Sequence, residues 1–355
     1  MKEIQYKKFS WNTHAKNWKS KNPNVCQFEL TFGCGLRCRH CYTDCYNKPQ
    51  YLKKELNTKE VKLILDKMYK AGVIWVCFTG GDPLTRKDFL DIYSYAKDKG
   101  FIVTIFTNGY SMTKKITDYL GKKPPFVIEM TLNAITKALY EKISQVRGSF
   151  EKVIKGIDLI MKNKISLKIK TQITKDNFSQ RDEIKKFIEG LGLEFRPSVD
   201  LYARLDGDLA PCKLRLSPEE ILILNGLKEA FDNDCNLKTD KSNPSASRQE
   251  SVTDNNLFRC AIGGGDGVHI DPYGNTFMCN LIREPKINLL KIDVAQAQEK
   301  LLPLARNRVF TTDSKCKSCN LIESCRSCPG RAYVETGDME APIEYHCQLA
   351  QVVVK

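Results

Sequence analysis

Six short runs rich in β-branched and aromatic residues alternate with amphipathic stretches between Val25 and Pro197. The runs are residues 25–32, 73–79, 101–107, 126–132, 166–173 and 193–199. Asn57 can cap the first intervening helix with Glu60 at its third position, and Gly72 stands past its end. Residues 89–96 close at Gly100, and residues 150–161 and 181–188 follow the same pattern. Repeated strand–helix units demand parallel strands joined by right-handed crossovers. The fold class is therefore α/β, either an open doubly wound sheet or a partial barrel.

At 355 residues the chain has room for one large domain and a smaller one. It contains no run of 18 apolar residues, so no membrane span is expected. Its first 21 residues are polar and basic rather than signal-like, which makes the cytoplasm the expected compartment. Fifteen cysteines then need a use. Reduced surroundings disfavour a disulfide framework, and an odd count leaves one thiol over in any fully paired scheme. Metal or cluster ligation explains them better. The formal charge of +14 comes mainly from lysines scattered along the chain, which describes a solvated surface and not a nucleic-acid arm.

Past a helix opened by Ser217-Pro218-Glu219-Glu220, residues 232–256 are polar and contain Asn243-Pro244-Ser245-Ala246-Ser247, the composition of a linker. This divides the chain into an N-terminal extension (1–24), an α/β core (25–215), a bridging helix and linker (216–256) and a cysteine-rich region (257–355). The last has few long periodic elements and is expected to need metal in order to fold.

The first β-rich run leads into Gly33-Cys34-Gly35-Leu36-Arg37-Cys38-Arg39-His40-Cys41-Tyr42, a C-x3-C-x2-C spacing. Three thiolates on one tight loop can hold three irons of a 4Fe–4S cube and leave the fourth open. A structural zinc site wants a fourth ligand, for which Cys45 is the competing candidate. This loop resembles the signature of the radical S-adenosylmethionine (SAM) superfamily, with His40 before the last cysteine and Tyr42 after it. The resemblance implies a partial (β/α)6 TIM-like barrel whose open iron chelates S-adenosyl-L-methionine. It further implies reductive cleavage of the sulfonium to a 5′-deoxyadenosyl radical, with electrons from a flavodoxin- or ferredoxin-type donor.

Thr79-Gly80-Gly81-Asp82-Pro83 matches the family's Gly-Gly-Glu-Pro motif with Asp in place of Glu. Its glycines would let the backbone approach the cofactor's ammonium group. Thr131 and Asn133 stand where relatives often have Ser and Asp, Arg147 aligns with a carboxylate-gripping arginine, and Asn108 follows a strand in Thr107-Asn108-Gly109. With His40 and Tyr42, all are expected cofactor contacts at or just past the C-terminal ends of strands.

Farther on come Cys260, Gly274, Cys279, Cys316-x2-Cys319-x5-Cys325-x2-Cys328 and Cys347. This order resembles the SPASM extension of radical enzymes, departing from it at Cys325-x2-Cys328, where x3 is usual. Taken alone, the run from Cys316 to Cys328 would also suit a zinc ribbon. The SPASM resemblance implies two auxiliary 4Fe–4S clusters, three in all. Cys316, Cys319, Cys325 and Cys347 would ligate the outer one; Cys260, Cys279 and Cys328 would hold the inner one, closed by Cys212, by Cys235 or by a substrate group. Asp271-Pro272-Tyr273-Gly274-Asn275 reads as a hairpin turn that puts Cys279 on the return strand, and His269 on the outgoing strand reads as a packed or exposed histidine.

The commonest use of this architecture is modification of a ribosomally made peptide or protein, such as a cross-link or thioether, which ranks first. A leader-bearing peptide would then call for a separate recognition protein. Radical editing of a small cofactor precursor such as a tetrapyrrole is the alternative. Sulfatase-type maturation ranks lower, because Asn280 replaces the acidic residue that the branch carries after its second cysteine, and no cysteine lies between Cys235 and Cys260.

Overall fold

The computed structural model describes residues 5–20, 23–225, 255–260, 267–322, 325 and 327–354. Cys235 and nearly all of the polar 232–256 stretch lie outside the described residues. The six expected strands form as β1 (Val25–Thr31), β2 (Trp75–Gly80), β3 (Ile102–Thr107), β4 (Val127–Thr131), β5 (Leu167–Gln172) and β6 (Phe195–Ser198). Each pairs in parallel with the next, in chain order. An order that never reverses has no topological switch point, so the sheet is the wall of a partial barrel and not a doubly wound sheet.

The helix Thr58–Lys70 begins at Asn57 in the expected capping box. With Phe89–Asp98, Ser149–Lys162 and Arg181–Gly190 it lies among the helices on the outer face of the sheet. Alternation along each strand sends Phe28, Phe78, Ile105, Met130 and Ile169 into that layer, all fully buried. Each such side chain contributes about 2 kcal/mol from apolar burial. The other face carries polar residues, with Thr79, Glu129, Thr131, Lys170 and Arg196 half-buried and Glu29 buried. A packed barrel would fill this face with branched apolar side chains. Polar residues here describe a hollow suited to a ligand.

The cysteine-rich region is more regular than its composition suggests. β7 (Gly267–Ile270) pairs in parallel with β1, and β8 (Asn275–Cys279) and β9 (Ile282–Asn288) follow antiparallel, giving one nine-stranded sheet. The helix Val294–Arg306 comes next, capped by Asp293 and Gln296. Val268, Ile270, Leu289, Val294 and Ala297 belong to the same apolar core as the barrel. The sheet and core therefore run across the expected domain boundary, with residues 267–297 contributing to the barrel's apolar cluster. The Asp271–Asn275 segment does form the turn, with Asp271 Oδ1 accepting from Tyr273 N at 2.9 Å and Asn275 N at 2.8 Å.

Three buried Arg–carboxylate pairs tie the C-terminal elements to the rest. Arg283 on β9 meets Glu29 on β1 at 2.7 and 2.9 Å. Arg331 meets Asp200 at 3.1 Å, and Arg215 meets Glu335. Among the described residues, no helix is long and apolar enough to cross a membrane.

Candidate functional site

At the end of β1 the chain turns through Gly33 into the loop that carries Cys34, Cys38 and Cys41. Arg37 N and Arg39 N donate to Ser144 O (2.9 Å) and Ile143 O (3.0 Å). These carbonyls sit in the last turn of the helix Lys137–Ser144, where intrahelical partners run out. Nη1 of Arg39 lies 2.6 Å from both carboxylate oxygens of Asp176. Asn47 clamps Cys34 from the other side, its Oδ1 accepting from Cys34 N at 3.3 Å and its Nδ2 donating to Cys34 O at 3.0 Å.

So held, the three thiols are electrostatic neighbours, Cys38 being raised by both Cys41 and Cys34. Burial pushes Cys34 up to about 12, with the charges of Asp82 and Cys41 adding to it. Cys38 and Cys41 are raised as well, burial leading in both. Donors already point at sulfur: Leu36 N at 3.4 Å and Asn108 Nδ2 at 3.2 Å, both to Cys34 Sγ. Amide donors of this kind suit a thiolate better than a thiol. This donor set fits a cube, which would draw the protons from the three half-buried thiols as it binds. The Cys45 sulfur lies 3.9 Å from Tyr42 O, and its charged neighbours are Asp206 first and then Cys41.

The Gly-Gly turn is stitched to this loop, with Gly81 N donating to Thr31 O at 2.7 Å and Asp82 N to Gly33 O at 2.9 Å. Gly80 has φ +117°, which favours glycine. A Cβ on Gly81 would lie 2.5 Å from the carbonyl oxygens of both Phe32 and Gly33. Gly81 thus makes a close approach to the start of the cysteine loop, a constraint beyond the approach to the cofactor's ammonium that the sequence suggested. Asp82 is a buried joint between strand ends. It accepts from Thr107 Oγ1 (3.0 and 2.9 Å), Leu84 N (3.0 Å) and Asn108 N (3.2 Å). Burial raises it to about 6 in spite of those bonds.

Thr79 stands opposite Glu29 on the hollow face of β2, and Thr131 stands beside Lys170 on that of β4. Asn133 accepts from Gln172 N at 2.9 Å and lies 3.4 Å from His40 Nε2 through its own amide nitrogen. Burial brings His40 down to about 4, so its imidazole is neutral near pH 7. Its Nδ1 is buried without a partner, an orphaned atom that a bound cofactor would satisfy. Two expected contacts stand apart. Arg147 is exposed in the turn after the helix Lys137–Ser144, with Lys137 as a charged neighbour. Tyr42 packs edge-on to Tyr202 at 6.0 Å, in a group with Leu205, Cys212 and Cys279. It lies between the two sets of cysteines.

The second set falls into two neighbourhoods. Cys279 is pushed up to about 11, by burial first and then by the nearby thiols of Cys328 and Cys260. Cys325 is raised by burial and by Cys347, Cys316 and Cys319. Leu281 N reaches Cys279 Sγ at 3.5 Å, Ser327 N reaches Cys325 Sγ at 3.4 Å, and Arg331 N reaches Cys328 Sγ at 3.5 Å. Cys328 caps the helix Pro329–Thr336, whose N-terminus favours a thiolate. Cys260 is exposed, and Cys212 lies half-buried in the turn Ala210–Leu214. Among the described residues, no three His, Cys, Asp or Glu side chains converge on one metal-ion position.

The sequence did not single out Asn47, Glu29 or Arg283. A signal existed for Glu29, a charge inside the apolar run Phe28-Glu29-Leu30.

Residues 28–189 match the family model of the Radical SAM superfamily. The chain carries a radical SAM domain. Membership implies S-adenosylmethionine and one 4Fe–4S cluster. The chain is 28% identical over 165 residues to an AdoMet-dependent heme synthase of Oleidesulfovibrio alaskensis, covering 46% of this chain and 42% of the relative. It thus spans less than half the length of the first curated relatives it matches. A heme synthase of Methanosarcina barkeri is 23% identical over 341 residues, covering 89% of this chain and 94% of the relative. The mycofactocin maturase MftC of Mycobacterium tuberculosis is 27% identical over 175 residues, 49% of this chain and 44% of the relative. The solved structure of Streptococcus suis SuiB bound to its precursor peptide SuiA matches at TM-score 0.66 and 18% identity, covering 99% of this chain and 82% of that one. It shares the fold around the radical SAM domain.

Proposed function

We propose that this chain is a radical SAM maturase that abstracts hydrogen from a ribosomally made peptide or protein. The observation that carries the radical step is the half-buried Cys34–Cys38–Cys41 loop at the end of β1, with amide donors on the Cys34 sulfur and a polar sheet face beside it. The cluster and S-adenosylmethionine, when bound, supply a 5′-deoxyadenosyl radical after one electron arrives from an external flavodoxin- or ferredoxin-type donor.

Cys34, Cys38 and Cys41 would hold that cluster; His40, Asn133, Thr131 and Thr79 line the approach for the cofactor, with the Gly80–Asp82 turn fixing the loop. The two neighbourhoods of C-terminal cysteines support two auxiliary 4Fe–4S clusters, one on Cys316, Cys319, Cys325 and Cys347, the other on Cys260, Cys279 and Cys328. Tyr42 and Tyr202 would separate the first cluster from the inner auxiliary one. A peptide substrate is supported by the maturase among the relatives and by the fold shared with a peptide-bound enzyme. Asn280 gives no carboxylate for sulfatase-type chemistry, and its amide is engaged with Gln27 Oε1 at 2.8 Å.

A second reading, modification of a carboxylate-bearing tetrapyrrole, is supported by the heme synthases among the relatives, while Lys168, Lys170 and Arg196 on β5 and β6 are engaged by Glu194 and Glu129. The test is anaerobic turnover with S-adenosylmethionine and reductant, offering peptides encoded beside this chain's gene or a tetrapyrrole carboxylate. 5′-Deoxyadenosine formed together with a mass change in the peptide is expected. A change confined to the tetrapyrrole would replace the first reading with the second. A Cys34→Ala/Cys38→Ala/Cys41→Ala variant that still made 5′-deoxyadenosine would refute both.

A further inference from the structure

We infer that Asn108 is a positioning residue for the first cluster, its amide donating to the Cys34 sulfur and raising the cluster's reduction potential, and not a contact to S-adenosylmethionine. The inference rests on the proposed ligation by Cys34, Cys38 and Cys41.

Asn108 follows the last residue of β3, and its Nδ2 lies 3.2 Å from Cys34 Sγ. The orientation of the amide is fixed independently. Its Oδ1 accepts from Tyr110 N at 2.8 Å, so a flipped amide would set N–H against N–H there. The backbone is pinned as well: Asn108 N donates to Asp82 Oδ2 at 3.2 Å, and Gly109 N donates to Thr107 Oγ1 at 3.0 Å. Gly109, at φ +76°, turns the chain directly after Asn108, in a space where a Cβ would strike Met130 at 2.2 Å. Across the loop, a Cβ on Gly35 would meet the Tyr110 ring at 2.4 Å, so Tyr110 lies flush on the cysteine loop and carries its N–H with it. An asparagine serving only a turn would leave its NH2 to water. This one is aimed at a ligand sulfur.

The chemical consequence has a sign. A donor on a ligating sulfur draws electron density from the iron, and it does so more effectively in the reduced, more negative state. Such a bond raises the potential at which the cluster accepts an electron. Asp82 matters here as the part that fixes the Asn108 backbone, so the Gly-Gly-Asp turn and the Thr-Asn-Gly turn act as one device on Cys34.

The experiment uses the full chain, reconstituted with iron and sulfide, as wild type, Asn108→Leu and Asn108→Asp. The cluster whose paramagnetic resonance changes on adding S-adenosylmethionine is taken as the first one. Its midpoint is titrated without the cofactor at about pH 8, where an aspartate is ionised, and cofactor affinity is measured separately. Both variants should have a more negative midpoint, Asp at least as far shifted as Leu, with cofactor affinity within about two-fold of wild type. Asp keeps the acceptor for Tyr110 N, so if Leu fails to load iron the Asp arm decides. An unshifted midpoint overturns the inference. So does a shift in Leu but not Asp, which would mean a loosened turn, and so does weakened cofactor binding at an unchanged midpoint, which would make Asn108 a cofactor contact. A wild-type chain with no cofactor-responsive cluster would remove the ligation reading, and this inference with it, before any Asn108 variant is compared.

Discussion

One methyl group added at Gly81 would test how the cofactor turn and the cysteine loop are joined. The new Cβ would lie 2.5 Å from the carbonyl oxygens of Phe32 and Gly33 and 2.7 Å from the carbonyl carbon of Phe32. Neither neighbour is the end of a flexible side chain. Both are backbone, bound to this same turn through Gly81 N to Thr31 O and Asp82 N to Gly33 O. Restoring ordinary contact requires the end of β1 to withdraw by about 1 Å. Overpacking of this kind costs about 1–3 kcal/mol. The displaced segment leads straight into Cys34, and a misplacement of about 1 Å at a reacting centre can cost on the order of 100-fold in rate. Gly81→Ala should therefore lower the unfolding midpoint, reduce iron loading and slow 5′-deoxyadenosine formation together. Gly190→Ala is the control, since nothing lies within 4 Å of its added Cβ. At the end of the helix Arg181–Gly190 it should be neutral or slightly stabilising. The comparison is made by thermal unfolding, iron analysis and single-turnover product formation. A Gly81→Ala protein equal to wild type in all three would refute the close-approach reasoning. Loss of cofactor affinity alone, with stability and iron content intact, would restore the ammonium contact suggested by the sequence.

Three further outcomes are expected. Arg283→Met should cost about 3–5 kcal/mol in urea unfolding by leaving Glu29 buried and unpaired, and Glu29→Leu/Arg283→Met should recover most of that loss; a double variant no better than the single one would contradict this. His269 is half-buried beside Arg283, and desolvation chiefly, with that charge, brings it from 6.5 down to about 4. The unfolded chain then binds the proton first, so stability present above pH 6.5 is lost as pH falls toward about 4, by at most about 3 kcal/mol. His269→Phe should remove that part of the pH dependence, and parallel stability curves for the two proteins would show that the histidine does not contribute. Cys316→Ala/Cys319→Ala should open residues 307–328 to protease while residues 267–306 stay protected by the shared core; equal cleavage across both segments would sink that division.

The strands were legible because each has one face buried against helices, so that Phe28, Leu30, Phe78, Ile105 and Ile169 recur with period two inside β-branched runs. The cysteine loop was legible because ligand spacing is a local property. The helix Val294–Arg306 was not, although Asp293 and Gln296 mark its start, because Pro303 inside the segment reads as a helix breaker and the cysteines around it suggested irregular structure. Joining of β7 to β1 was invisible for another reason: a four-residue strand has too short a pattern to say which edge it extends. Least legible were the long-range pairs. Arg283 and Glu29 are 254 residues apart, and nothing near either one names its partner. What can be read locally is the cost: a carboxylate in the middle of Phe28-Glu29-Leu30 cannot stay charged in a buried strand without a cation brought to it. Glu29 therefore predicts that some basic residue must cover the β1 side of the hollow. That residue, Arg283, stands on β9, the strand that follows the one ending at Cys279.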